Sequence, residues 1–442
     1  MTPLLLPDLP RRIATTPARQ IRLQVAAAAD ATRLVRPATV LLDASGPVTV
    51  DRPEAVGHLH TPVIELPGVV VLPPLVNAHA HLDLTGVGPM DPTTDFAQWA
   101  GQVRQRRPET PQAITAAVQE GVRRSVAGGT GFIGDIAGNF GVTAVDALRS
   151  VASDAGIEGV SYVEVFGIGH ASDRGARFLR GLLDQVASRG DGIRLGVSPH
   201  APYSCDDTIY AIAAELGLPL TTHLSETLEE LQFVRHGTGP FANLLKSVGA
   251  WTPELRGWGA APIQRLLPLL ASAHASLVHL NYLDAASMEM LAATVGRDRT
   301  PVPVYCPRAS AWFGHPQAGH APHAYRAMLD AGLPVALGTD SAIVLGDSPT
   351  ISVLDEMRLL QRRDGTDARQ LLTMATVHGA RALQLDPARV TLPTGRNAAC
   401  ADLWSVDLGD AGHDGTQDPL ERVLESRTPG AWLWRAGGRT RR

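Results

Sequence analysis

Cysteine is scarce in this 442-residue chain: Cys205, Cys306 and Cys400 are odd in number, far apart and in no CxxC pattern. That excludes a disulfide framework or a thiolate metal cluster and fits a reducing, cytoplasmic setting. Lysine is scarcer still. Lys246 is the only one, so arginine carries the basic charge and any chemistry that needs a lysine has one position to use. An excess of positive charge is also missing: the net charge of -5 comes from interspersed Arg, Asp and Glu. With no basic stripe to follow a phosphate backbone, nucleic acid is not expected as a partner. No apolar run is long enough to cross a bilayer, so no membrane partner is expected either. The opening MTPLLLPDLPRR lacks a basic stretch before its proline-broken apolar run and makes a poor signal peptide.

What is present is enough hydrophobic sequence, 44% of residues, for a large core with a smaller attachment. Between about Val69 and Arg381, short runs rich in Val, Ile and Leu alternate with amphipathic stretches, as in repeated βα units. The candidate strands are residues 73–81, 130–136, 160–167, 193–200, 218–224, 275–281, 302–306 and 333–340, with an insertion near 237–273 after the fifth. Eight is the number that closes a barrel. The expectation is an α/β fold, a distorted TIM (β/α)8 barrel over residues 67–383. A small composite β-sandwich domain is expected from 1–66 and 384–442, where short β-prone runs such as ATVLLDA, VTV and ADLWSVDL replace long helices.

Barrel active sites gather at the C-terminal ends of the strands, so polar strand-end residues carry the functional reading. His79 and His81 are two apart on an extended segment and face the same way, so one ion can take both. His58 and His60, in GHLH, have the same spacing but sit in a polar turn-like stretch, and are read as incidental. His223 ends the fifth strand; Glu226 follows three residues on and shares its face if the chain turns helical there. Asp340 closes the eighth strand and returns a carboxylate to the side of the first. Three histidines and one carboxylate, His79, His81, His223 and Asp340, with room for a water, make a catalytic Zn or Fe site. His279, ending the sixth strand, is placed to touch the water or the reacting atom, and His200, ending the fourth, to contact substrate. His315, His320 and His323, in HPQAGHAPH, read as a solvated loop. Many barrels of this kind bridge two metals with a carboxylated lysine from the fourth strand. Lys246 lies in the insertion after the fifth, so one ion is expected.

In order along the chain, LPPLVNAHAHLDL, SPHAPYSC, HLSET, VHLN, CPRASAWFG and LGTDS resemble six blocks of the amidohydrolase superfamily, and GRNAACADLWSVD its C-terminal return strand. The branch resembled is that of adenosine, S-adenosylhomocysteine and guanine deaminases and chlorohydrolases. HAHLDL, YVEVFG and CPRASAWF are most similar to aminodeoxyfutalosine deaminases, which act on a 5'-modified adenosine in an alternative menaquinone pathway. The chain departs from the family pattern at Pro74 (usually Gly), Asp83 (usually Glu) and Ala309 with Ser310 (usually Ser and Asn); the last pair bears on substrate identity.

The resemblance implies hydrolytic deamination of a purine nucleoside derivative by a metal-activated water. His279 and Asp340 would orient or deprotonate the water, and Glu226 would protonate the ring nitrogen beside the attacked carbon. Substrate contacts are expected from His200, Trp99, Ser310 and Asp83. A substrate carboxylate would be met by Arg308 or one of Arg104, Arg106 and Arg107, although a solvated helix face is the preferred reading of that trio. A homodimer is the candidate assembly. Rival readings are an S-adenosylhomocysteine, 5'-modified adenosine or guanine deaminase, a chlorohydrolase, or a scaffold that has lost catalysis, which would lack ligands that are present here.

Overall fold

A computed structural model describes residues 20–43, 48–56, 61–93, 96–190, 192–394, 402–409 and 417–435. His58, His60 and Cys400 lie outside these residues.

The chain enters as a small sheet: β1 (Gln20–Ala29), β2 (Leu34–Val35), β3 (Ala38–Asp43), β4 (Val48–Asp51) and β5 (Val63–Leu72). In β1, Ile21, Leu23, Val25 and Ala27 are buried while Gln20, Arg22 and Gln24 are not, the period-two signature of a strand with one covered face. Two late strands, β16 (Leu403–Asp407) and β17 (Gly430–Trp434), return to this sheet and complete the order β17-β16-β5-β1-β3-β4, with β2 paired to β1. β1 and β5 run parallel; the other pairs are antiparallel.

β5 joins the two parts of the molecule. Val69 and Val71 belong to the core of the small sheet, whereas Val70 and Leu72 belong to the barrel core. A strand covered on both faces reads as a continuous apolar run, which is what GVVVL is.

After Pro73 and Pro74 the barrel strands follow: β6 (Leu75–His81), β7 (Thr130–Ala137), β8 (Glu158–Val165), β10 (Ile193–Pro199), β11 (Leu220–Leu224), β12 (Ala275–His279) and β13 (Val302–Tyr305), all parallel. A two-residue strand, β9 (Arg189–Gly190), pairs antiparallel with β10. The eighth barrel strand, expected over 333–340, is split into β14 (Ala336–Leu337), paired with β13, and β15 (Asp340–Ser341), paired with β6. Across the break, the N–H of Gly338 donates to Tyr305 O and that of Thr339 to His79 O, both at 2.9 Å. This closes the ring. A Cβ at Gly338 would sit 2.7 Å from that of His79 and 3.0 Å from the Cys306 sulfur, so only glycine lets the last strand approach the first. Asn77 pins the junction by hydrogen bonds to the Thr339 hydroxyl (2.8 Å) and N–H (3.2 Å).

The helix after the fifth barrel strand, Leu228–His236, is followed by the insertion, which holds two further helices, Pro240–Ser247 and Pro262–Leu269. No helix among the described residues is long and apolar enough to cross a membrane.

Candidate metal centre

β6 brings His79 and His81 to the mouth, β11 brings His223, β12 brings His279 and β15 brings Asp340. His81 Nε2 lies 3.4 Å from His223 Nε2 and 3.6 Å from Asp340 Oδ1. The donor atoms of His79, His81 and Asp340 fall within 4.8 Å of one another, as do those of His79, His223 and His279. His223 Nδ1 donates to the carbonyl of His200 at 2.9 Å, which leaves its Nε2 as a lone pair facing His81. Burial pushes the His79, His81 and His279 imidazoles well below the usual range, and neighbouring histidines push further; His223, also buried beside His200, is lowered to about 4. The cluster is therefore one of neutral, lone-pair-bearing rings.

These residues suit a divalent ion. Both nitrogens of His79 are buried without a hydrogen-bond partner, a cost of about 1–3 kcal/mol per group unless something binds them. The 3.4 Å between His81 Nε2 and His223 Nε2 is about the separation of two nitrogens each 2.0–2.1 Å from a tetrahedral zinc.

Glu226 arrives by a route the sequence did not suggest. The chain does not turn helical at His223: the helix begins at Leu228, with the Thr227 hydroxyl capping it through the N–H of Glu230. Ser225 instead takes a left-handed backbone (φ 52°), and the buried Glu230 carboxylate accepts the N–H groups of Ser225 (2.7 Å) and Glu226 (2.9 Å). Glu226 Oε1 then lies 3.5 Å from His279 Nε2. Burial raises its carboxyl well above the ordinary range, and Asp340 and Glu230 add to the shift. Burial also lifts Asp340, to about 6.

The remaining expected residues divide. His200 is at the site, its ring 5.1 Å from that of His223 and its Nδ1 bonded to the Ser204 hydroxyl at 2.7 Å. Asp83 is buried and pairs through Oδ2 with Arg107 at 2.8 Å, while its Oδ1 has no partner. Arg107 is thus not part of the solvated face expected of it; Arg104 and Arg106 are exposed. Ser310 donates to Asn281 Oδ1 (2.7 Å), and Asn281 in turn donates to the carbonyl of Glu226 (3.0 Å), so it steadies the acid's backbone. Trp99 packs edge-on to Phe313 and beside Phe96, within an aromatic wall. Arg308 is already engaged: its Nε meets Glu356 Oε1 at 2.5 Å, and its Nη2 donates to Ser352 O at 3.1 Å. It is not free for a substrate carboxylate.

The HPQAGHAPH loop corrects another expectation, for of its three histidines only His320 is exposed. His315 and His323 are buried. His323 Nε2 donates to the carbonyl of His279 at 2.7 Å while its Nδ1 accepts the N–H of Tyr325, and Tyr305 stacks on the ring. His279 and Leu280 have left-handed backbones (φ 74° and 54°), and His323 holds the first of them. Polar loop composition hid this, because a loop's packing partners are set by tertiary contacts. Cys205 and Cys306 are buried, and desolvation raises both thiols, Cys205 to about 12, so neither is a ready nucleophile.

Residues 70–406 match the amidohydrolase family. The aminodeoxyfutalosine deaminase of Deinococcus radiodurans is 29% identical over 334 residues, covering 72% of this chain and 74% of that one. The crystal structure of Helicobacter pylori aminofutalosine deaminase, also solved in complex with methylthio-coformycin, superposes with a TM-score of 0.71 at 20% identity over 92% of this chain and 97% of that one. An adenosine deaminase from Xanthomonas campestris with bound zinc superposes with a TM-score of 0.66 at 21% identity, over 92% and 89% of the two chains. With a family match across most of its length, a barrel of that fold and a histidine–aspartate cluster at its mouth, the chain belongs to the amidohydrolase family and is a hydrolase.

Proposed function

We propose that the protein is a metal-dependent aminohydrolase acting on the C–N bond of an adenosine-type nucleoside, with 6-amino-6-deoxyfutalosine as the substrate and futalosine and ammonia as the products. The observation that carries this reading is the buried Glu226 carboxyl, 3.5 Å from His279 and beside the histidine–aspartate cluster. A carboxyl whose protonated form is favoured by burial can give that proton to a ring nitrogen and make the adjacent carbon electrophilic. His79, His81, His223 and Asp340 would hold one zinc ion, with iron as the alternative. When bound, such an ion supplies a water of lowered pKa. Asp340, at about 6, is suited to take a proton from the attacking water, and His279, fixed by His323, to orient it.

Two facts support a single ion. His223 has one free ring nitrogen, because the other is spent on the His200 carbonyl. Lys246 sits exposed in the insertion with its ammonium 4.8 Å from the Trp251 ring, and takes no part in the cluster. Similarity to the Deinococcus enzyme supports the choice of substrate.

Metal analysis combined with ammonia release from a panel of 5'-substituted adenosines tests the proposal. One metal per chain and fastest turnover of aminodeoxyfutalosine are expected. Preference for S-adenosylhomocysteine would move the substrate within the same chemistry. No turnover of any aminopurine, with activity on a chlorinated or other ring, would overturn it.

A further inference from the structure

Glu164 has no role in the chemistry above, yet it lies at the barrel mouth. It is the penultimate residue of β8, and its carboxylate oxygen lies within 4.8 Å of ring nitrogens of His200 and His223. Its surroundings are built with care. Gly138 leaves space for it: a Cβ there would come within 2.5 Å of Arg107 Nη2, 3.0 Å of Asp83 Oδ2 and 3.3 Å of Glu164 Oε2. Arg107 directs its guanidinium to Asp83. Glu164 Oε2 accepts the N–H of Asn139 at 3.2 Å, whose backbone is left-handed (φ 56°). Oε1 points instead toward His200 Nε2, 3.9 Å away.

That gap is too wide for a direct hydrogen bond and is the width that one oxygen can span, touching both groups at hydrogen-bonding distance. A hydroxyl serves both sides by donating to the carboxylate and accepting the Nε2–H of the His200 tautomer whose Nδ1 takes the Ser204 hydroxyl proton. The trio with His223 does not form a second metal site, since the free His223 nitrogen already faces His81 at 3.4 Å.

We propose that Glu164, across its gap from His200, receives a sugar hydroxyl of the substrate and so selects ribosides over deoxyribosides. This rests on the nucleoside reading of the site. A buried acceptor left without its hydroxyl is penalised, which makes such sites discriminating.

The test compares adenosine derivatives with their 2'-deoxy and 3'-deoxy counterparts on the metal-loaded enzyme. The wild type is expected to favour the riboside over at least one deoxy form by about 10- to 100-fold in kcat/KM. In Glu164→Ala that ratio should collapse toward one, through loss on the riboside and little change on the deoxyriboside, with metal content unchanged. Glu164→Gln, which keeps an acceptor oxygen, should restore part of the ratio. A merely structural role would lower both substrates equally. A wild type indifferent to both hydroxyls, or a Glu164→Ala ratio equal to that of the wild type, would overturn the proposal. Equilibrium binding of adenosine and 2',3'-dideoxyadenosine to the metal-loaded Glu226→Gln protein reads the same preference without turnover. Absent deamination would therefore sink the proposed function, while equal binding of the two would sink the role of Glu164.

Discussion

In β4 and the first half of β1 of the small sheet, side chains alternate between buried and partly exposed, and every non-glycine residue described in that sheet keeps a negative φ. At the barrel mouth, Asn139, Phe140, Ser225, His279, Leu280 and Asp340 all take left-handed backbones, leaving only Gln384 elsewhere among the described residues. Each such residue costs roughly 1–3 kcal/mol and persists where surrounding contacts over-determine it. The two regions are built for different ends. One maximises regular burial, and the other accepts strain and unpaired polar atoms to aim His279, Asp340 and Glu226 at a common point. Perturbing the mouth should change chemistry, and perturbing the sheet should change only stability.

The sharpest way to break that contrast is at the ligands. His79→Ala, or stripping the ion with a chelator, should abolish turnover, measured by ammonia release, and metal content should fall with it. Full activity in the metal-free protein would remove the centre from the mechanism. Glu226→Gln should keep the metal and lower kcat by about 10²- to 10⁴-fold, the range for loss of a proton-transfer group. Retained kcat would assign proton transfer to another residue.

The legible part of this protein was the part set by local pattern. Apolar strands with a polar last residue gave His79, His81, His223, His279 and Asp340, because a barrel converts strand order into a ring of strand ends. What stayed hidden depends on contacts distant in sequence. Arg107 shares the helix pattern of the solvated Arg104 and Arg106, yet Asp83, 24 positions away, holds it. Nothing in the residues next to Arg308 in sequence signals that Glu356 engages it. Glu164 stood inside YVEVFG as one acidic residue in an apolar strand. A charge in a buried strand is costly enough to have marked it as functional.

Smaller effects sharpen the same comparison. Leu23 is fully buried in the small sheet, so Leu23→Ala should lower stability by about 2–5 kcal/mol in denaturant titrations. Metal stoichiometry and kcat should stay as in the wild type; a change in kcat would couple the sheet to the mouth.

His323 tests the mouth's own stability. Burial lowers it to about 4, only partly offset by its hydrogen bond to the His279 carbonyl. Its folded value lies below the unfolded one of about 6.5, so the unfolded chain binds the proton first. The stability it contributes is present above about pH 6.5 and is lost as pH falls toward 4, by about 3 kcal/mol at most. His323→Gln, which can still donate to the carbonyl, should show a shallower acid loss in pH-dependent unfolding. An identical profile would place the acid sensitivity elsewhere.

The smallest expected effect concerns the only lysine. Lys246 is exposed, and its described contact is the ring of Trp251, an interaction worth roughly 0.5–1 kcal/mol at such a site. Lys246→Ala should therefore leave one metal per chain, an unchanged kcat and a stability within about 1 kcal/mol of the wild type. A barrel that bridged two ions through a carboxylated lysine would lose a metal and its activity on this change. Metal analysis of the variant thus decides between a mononuclear mouth and a binuclear one, and a fall in stoichiometry would place Lys246 in the metal centre.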